Sequence, residues 1–315
     1  RFLSRLDYPS WARPCYFVAG IHPVFQADAC RNWLAESHFD LFQRFMAHGF
    51  VDEAFGQITR VTEIVTELNE LGRDLRDYET DSTKAWMNLC TTYTERRNPE
   101  QASKCLVMAQ TTAMNDDTLK REVAHAAVEF AQSMNRVNEW QFATDAILPV
   151  LETSEYDTIF DADLRSMISD IAAESIIGLA DDLSNAKNYD EALRYQRIAL
   201  KNRQRLSLSA DQMHKTKRNL ADNHISLAEG LLTKGLAAQG AGALLNAVDD
   251  IPIGEQELLI RAVDVALAQS KKLEPDKLEA ILLKSSGQCG NSKKAEMHIV
   301  NSFIQLDSND LENNE

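Results

Sequence analysis

The chain has 315 residues, of which 44% are hydrophobic, with a net charge of −15 and only seven prolines and twelve glycines. That is enough apolar material for a core but too few turn-formers for a fold of many β-hairpins, so an all-β reading is disfavoured. The acid is interspersed along the chain, which argues against a general affinity for phosphate backbones, and no apolar run approaches the ~18 residues of a membrane span.

The first stretch, residues 1–34, reads as a lead-in that caps the helices after it. It holds Pro9, Pro14 and Pro23 among Phe2, Tyr8, Trp11, Tyr16, Phe17 and Phe25, and so many aromatics point to burial rather than to a linker. Arg1, Arg5 and Arg13 against Asp7 resemble the bias of a transit segment, but Pro9 and Pro14 would break its helix. Five cysteines, Cys15, Cys30, Cys90, Cys105 and Cys289, form an odd set without a CxxC pair, which suits neither a disulfide framework nor a zinc site. The expectation is a reducing, intracellular setting, cytoplasmic or nuclear, with organelle import left open.

From residue 35 to 306 one unit recurs: an apolar helix, a short polar break, and a second helix that opens on a small residue. Those residues are Ala54, Ala102, Ala143, Ala192 and Gly240, spaced 48, 41, 49 and 48 apart. The first copy carries Leu41, Phe42, Phe45, Gly49, Ala54 and Ile58, and its second helix continues through Val61, Val65, Leu68, Leu71 and Leu75. Steps of three and four keep those residues on one helical stripe, so the excess length is expected to lie in longer helices. The second copy runs Trp86-x2-Leu89-Cys90-x2-Tyr93, then Ala102-x3-Leu106-x2-Ala109. The third has Phe130, Ala131, Met134, Trp140, Ala143 and Ile147. The fourth has Ile176, Leu179, Ala180 and Leu183, then Tyr189, Ala192 and Ala199. The fifth has Leu227, Ala228, Leu231, Gly235, Gly240, Leu244 and Ala247, and a sixth is expected over Leu282, Leu283, Gly290, Ala295 and Ile299. Asp81-Ser82, Asn115-Asp116-Asp117 and Ser207 to Asp211 are expected to cap helices, since short polar side chains accept the unpaired N–H groups of a first turn. Residues 307–315, rich in Asn, Asp and Glu, read as a mobile acidic tail.

The second copy resembles the tetratricopeptide repeat, whose pattern is W-x2-L-G-x2-Y followed by A-x3-F, with Cys90 in place of the glycine and Leu106 in place of the phenylalanine. The long period is similar to that of kinesin light chains and related adaptors. The resemblance implies an all-α, right-handed α-solenoid of five to six hairpins whose first helices line an inner groove that grips a peptide or helix. Stepping two, five and nine residues along each first helix gives the groove candidates. They are Glu36, Phe39 and Gln43; Lys84, Met87 and Thr91; His125, Val128 and Gln132; Glu174, Ile177 and Asp181; and Asp222, Ile225 and Glu229. The middle member is apolar each time, and a lengthened helix could equally bury those five as core. As a groove they would suit a basic amphipathic partner. Carboxylates stand where chaperone-tail receptors place a Lys/Arg/Asn clamp, which disfavours that function.

Chemistry is otherwise sparse. No glycine-rich phosphate loop, HExxH or GxSxG occurs. Histidines 22, 38, 48, 125, 214, 224 and 298 show no ligand-like spacing. Asp181-Asp182 and Asp249-Asp250 are adjacent, so on a helix their side chains diverge by about 100°. Gly287-Gln-Cys-Gly290 reads as a turn. The basic runs Lys215 to Arg218 and Lys271-Lys272 read as solvated faces. The expected function is a protein-binding scaffold or adaptor, not an enzyme, with no cofactor or metal, no nucleic acid and no membrane. A regulatory or sensing module is the alternative, and oligomeric state is not legible.

Overall fold

A computed structural model of the chain describes residues 25–70, 76–113, 116–289 and 292–312. The described residues form helices without a strand: α1 Phe25–Ala47, α2 Val51–Glu70, α3 Arg76–Glu95, α4 Pro99–Thr112, α5 Asp117–Asn135, α6 Trp140–Leu151 and the single turn α7 Tyr156–Ile159. They continue with α8 Ala162–Asn185, α9 Tyr189–Lys201, α10 Ala210–Thr233, α11 Ala237–Asp250, α12 Gln256–Ala268, α13 Pro275–Gln288 and α14 Lys293–Glu312, with a 3-10 turn at Ser270–Lys272. The chain divides into two compact units, Arg1–Ile168 and Ser169–Glu315.

In the first unit α1 packs with α2, α3 with α4 and α5 with α6, and each pair lies against the next in chain order. In the second, α10 pairs with α11 and α12 with α13, while α14 packs on α12 and α13. Each unit thus has the hairpin-after-hairpin order of an α-solenoid.

The close-packing residues lie where the repeat puts them. Ala54, Ala102, Ala143 and Ala192 are fully buried, and Gly240 is buried too. Gly240 shows why the position is small: a Cβ there would stand 2.5 Å from Leu232 Cγ and 2.7 Å from its Cδ2. Four residues on, Ile58, Leu106, Ile147 and Leu244 fill the hairpin core, and Trp86 is fully buried beside them. The Trp86 indole donates to Thr62 Oγ1 at 3.0 Å, which satisfies its one polar atom.

A second regularity sits in the turns. Gly49, Arg97, Asn138, Lys187 and Gly235 occupy the same place between the two helices of five hairpins, and all have positive φ, at 76°, 58°, 61°, 62° and 80°. In each, the next residue's N–H bonds back to the carbonyl five residues earlier: Phe50 to Phe45, Asn98 to Tyr93, Glu139 to Met134, Asn188 to Leu183 and Leu236 to Leu231, all at 2.9–3.0 Å. The positive-φ residue itself bonds back three, as Gly49 does to Met46 and Lys187 to Ser184. This is the Schellman closure of a helix end, repeated five times. Asn138 is a residue that adopts this conformation readily, but Arg97 and Lys187 are not, so hairpin geometry overrides residue preference at those two.

Helix starts follow their caps in part. Asp116 accepts from Thr118 N and Leu119 N at the head of α5, Ser209 and Gln212 form a capping box on α10, and Asn98 with Pro99 opens α4. Asp81-Ser82 is not a cap. Both residues lie inside α3, where Ser82 and Thr83 are buried against the hairpin.

Three boundaries differ from the sequence reading. Residues 25–34 are the first turns of α1, so the first hairpin starts before residue 35, and residues 1–24 lie outside the described part. Leu71 and Leu75 lie outside it as well. Residues 307–312 continue α14. The sixth pair is α12 with α13, which puts Leu282 and Leu283 on a second helix, while Ala295 and Ile299 are buried on α14, the helix after it. Gly287 and Gln288 end α13, Cys289 is its C-cap, and Gly290 is outside the described residues.

Candidate functional site

The candidate groove residues sit on the first helix of each hairpin: α1, α3 and α5 in the first unit, α8 and α10 in the second. Their polar members face solvent in the first unit. Glu36, Gln43, Lys84, Thr91, His125 and Gln132 are exposed, and Phe39 and Met87 are half-buried between them. Glu36 Oε1 accepts from Tyr78 OH at 3.1 Å, a link from α1 to α3. The Phe39 ring lies 5.7 Å from that of Phe42, which is in the core.

In the second unit Glu174 and Glu229 are exposed, and Ile177, Asp181 and Asp222 are half-buried. Polar contacts fix α8, α10 and α12 side by side. Asp181 Oδ1 accepts from Asn219 Nδ2 at 3.0 Å, and its other oxygen stands 3.6 Å from Lys215 Nζ. One turn on, Ser184 Oγ accepts from Asn223 Nδ2 at 2.7 Å. Asp222 is ion-paired to Arg261 on α12, whose guanidinium also donates to Ser226 Oγ at 3.1 Å and stands 3.9 Å from Glu229. Nearer the start of α10, Glu255 at the head of α12 stands 2.9 Å from His214 and 3.4 Å from Arg218, so these helices carry the carboxylates Glu174, Asp181, Asp222, Glu229 and Glu255 beside the cations Lys215, Arg218 and Arg261, with Ile177 as an apolar element.

Two members of the expected apolar stripe are not on a surface. Val128 is 2% exposed and Ile225 is 0% exposed, so both are core residues. The cause is coverage from two sides: α5 is packed by α3, α4 and α6, and α10 by α9, α11 and α12. What is left at the middle position is Phe39, Met87 and Ile177. Arg261 is a residue of the face that the repeat pattern does not offer, because the sixth pair begins at α12, ahead of the register that Leu282 and Gly290 suggest.

Further titratable groups lie in the interior. His224 is buried, with Nε2 3.0 Å from Arg197 Nη2 and 3.5 Å from Asp250 Oδ2; desolvation and then the Arg197 charge lower its pKa to about 4. Burial raises Cys90 and Cys105 to about 12. No group of three or more His, Cys, Asp and Glu among the described residues could hold a metal ion. No described helix is long and apolar enough to cross a membrane.

The fold is that of an all-α protein built from consecutive helical hairpins. No family model matches the sequence, and no curated protein matches it. Among solved structures the chain is similar to the nuclear import adaptor Nro1 of S. pombe, at 14% identity and a TM-score of 0.30, over 87% of this chain and 98% of that one. It is also similar to a signal-transduction ATPase with a tetratricopeptide repeat sensor from Pyrococcus horikoshii, at 13% identity and a TM-score of 0.27, over 93% of this chain and 45% of that one. A third likeness is to pilF of Pseudomonas aeruginosa, at 11% identity and a TM-score of 0.24, over 87% and 99% of the two chains.

Proposed function

We propose that the chain is a scaffold or adaptor that holds a protein partner against the solvent faces of its first helices, with the α8–α10–α12 face as the principal contact. The supporting observation is the carboxylate carried by these helices: Glu174, Asp181, Asp222, Glu229 and Glu255 outnumber Lys215, Arg218 and Arg261, with half-buried Ile177 on α8. An amphipathic helix with Lys or Arg flanking its apolar anchors complements such a surface. Charge of this kind governs association rate and partner choice more than raw affinity. The half-exposed Phe39 and Met87 offer apolar contact of the same type in the first unit.

The test uses a labelled Leu/Lys amphipathic helical peptide and its Leu/Glu counterpart, read by fluorescence anisotropy at low and high salt. The basic peptide should bind and weaken as salt screens the face, and the acidic one should not bind. Glu174→Lys with Glu229→Lys should abolish binding while leaving the far-ultraviolet dichroism unchanged. Equal binding of both peptides, or binding untouched by the charge reversal, discards the assignment. Small-angle scattering separates the scaffold from a sensing module: a scaffold keeps its dimensions when the peptide is added, whereas a module that closes on its ligand contracts.

A further inference from the structure

Gln196 breaks the rule of its repeat position. The other four hairpins fill that place, four residues after the small one, with fully buried Ile58, Leu106, Ile147 and Leu244. Gln196 on α9 is 2% exposed and so equally buried, yet neither its amide oxygen nor its amide nitrogen has a protein hydrogen-bond partner. A buried amide in that condition is expensive, because it has given up its bonds to water without replacing them.

The side chain lines a cavity of about 10 Å³ between α8, α9 and α10. Ile176, Ala180 and Ala199 supply its apolar wall, while Asp181, Lys215, Thr216 and Asn219 bring polar atoms to it. A volume near 10–15 Å³ is what one buried water requires, and such a water needs two to four hydrogen-bond partners. Gln196 offers one donor group and one acceptor. Asp181 and Thr216 retain accepting capacity, because the carboxylate has lone pairs beyond those used by Asn219 and the Thr216 hydroxyl proton is given to Gln212 O.

We propose that this cavity is a built site for a single ordered water, which joins the Gln196 amide to the polar side chains of α8 and α10. The volume, that of a single water, denies the site a side chain. Ile177 and Asp181 line the same cavity, so the water fixes the floor of the second unit's solvent face without depending on what that face binds. It also accounts for a glutamine at a position that four other hairpins give to Leu or Ile.

The experiment is a high-resolution crystal structure of the full chain, paired with magnetic relaxation dispersion in solution, on the wild type, Gln196→Leu and Gln196→Met. The wild type should show one oxygen within hydrogen-bond distance of the Gln196 amide, and one long-lived water more than either variant. Gln196→Met keeps the length of the side chain and removes both polar atoms, so it carries the comparison if Gln196→Leu does not fold. A cavity without density in the wild type, a Gln196 amide satisfied by protein atoms alone, or equal long-lived water in wild type and variant overturns the proposal.

Discussion

Gly240 and Gly242 stand two residues apart on α11 and separate close packing from helix propensity in a single experiment. Alanine is the better helix former by ~1 kcal/mol at either position, so that contribution cancels between Gly240→Ala and Gly242→Ala. The surroundings do not cancel. At Gly242 an added Cβ meets nothing within 4 Å, whereas at Gly240 it meets Leu232 Cγ at 2.5 Å, Leu232 Cδ2 at 2.7 Å and Ala228 O at 3.3 Å. Leu232 is fully buried within the second unit's core and has no open space to retreat into. Relief therefore requires α10 and α11 to move apart, an overpacking cost of about 1–3 kcal/mol. Gly242→Ala should be neutral to stabilising, and Gly240→Ala should lie ~1–3 kcal/mol below it. Urea denaturation followed at 222 nm reads this as a lower midpoint for Gly240→Ala. Coinciding midpoints, or a higher one for Gly240→Ala, would refute the close-approach reading of the small residue in every hairpin.

Lys187→Gly should raise the urea midpoint. The left-handed conformation at φ 62° costs a non-glycine residue ~1–2 kcal/mol, which exceeds the ~0.5–1 kcal/mol of extra freedom glycine brings to the unfolded chain; a lower midpoint would contradict this. Cys90 and Cys105, both buried and with thiols raised to about 12, should resist iodoacetamide at pH 8 in the folded protein and react in urea, as peptide mass spectrometry can check. His224 sets a pH dependence. Its folded value of about 4 lies below the ordinary 6.5, so between those values the unfolded chain binds a proton that the folded chain does not. Stability is then full above pH 6.5 and falls with falling pH, by ~2 kcal/mol between pH 7 and pH 5. Asp250, raised by its own burial, titrates in the opposite sense at the acid end. His224→Asn should flatten the difference between urea midpoints at the two pH values, and an unchanged slope would remove His224 as the cause.

The frame is legible in the sequence because small residues recur at fixed intervals and because Trp86, Leu89 and Tyr93 share a stripe. Those residues meet their spacing with burial in the structure. The turns are half legible. Gly49, Asn138 and Gly235 announce a left-handed residue, but Arg97 and Lys187 take the same conformation because the two helices of the hairpin are held together by packing. A side chain that yields to tertiary constraint leaves no mark in local preference. The sixth pair escapes the pattern for a related reason. Leu282 and Leu283 look like one apolar step, yet the buried stripe of α13 is Leu278, Ile281, Leu282 and Ser285, with Leu283 turned out to solvent. Adjacent apolar residues fix a helix but not its rotation.

The same limit governs the candidate face. Positions two and nine of each first helix lie in solvent or at its margin because their polar character carries its own cost of burial. The middle position carries no such information, since an apolar residue is content on a groove or in a core. Phe39, Met87 and Ile177 keep partial exposure, while Val128 and Ile225 are enclosed by the helices on either side of α5 and α10. Apolar exposure at the middle position is thereby reduced to separate points, and the continuous feature of the second unit is charge. Arg261 bears directly on that charge. By pairing with Asp222 beside Glu229 it withdraws part of the acid that α10 presents. The net charge of that face is consequently set by residues on three helices, two of which the repeat pattern aligns and one of which becomes visible only when α12 is seen to lie beside α10.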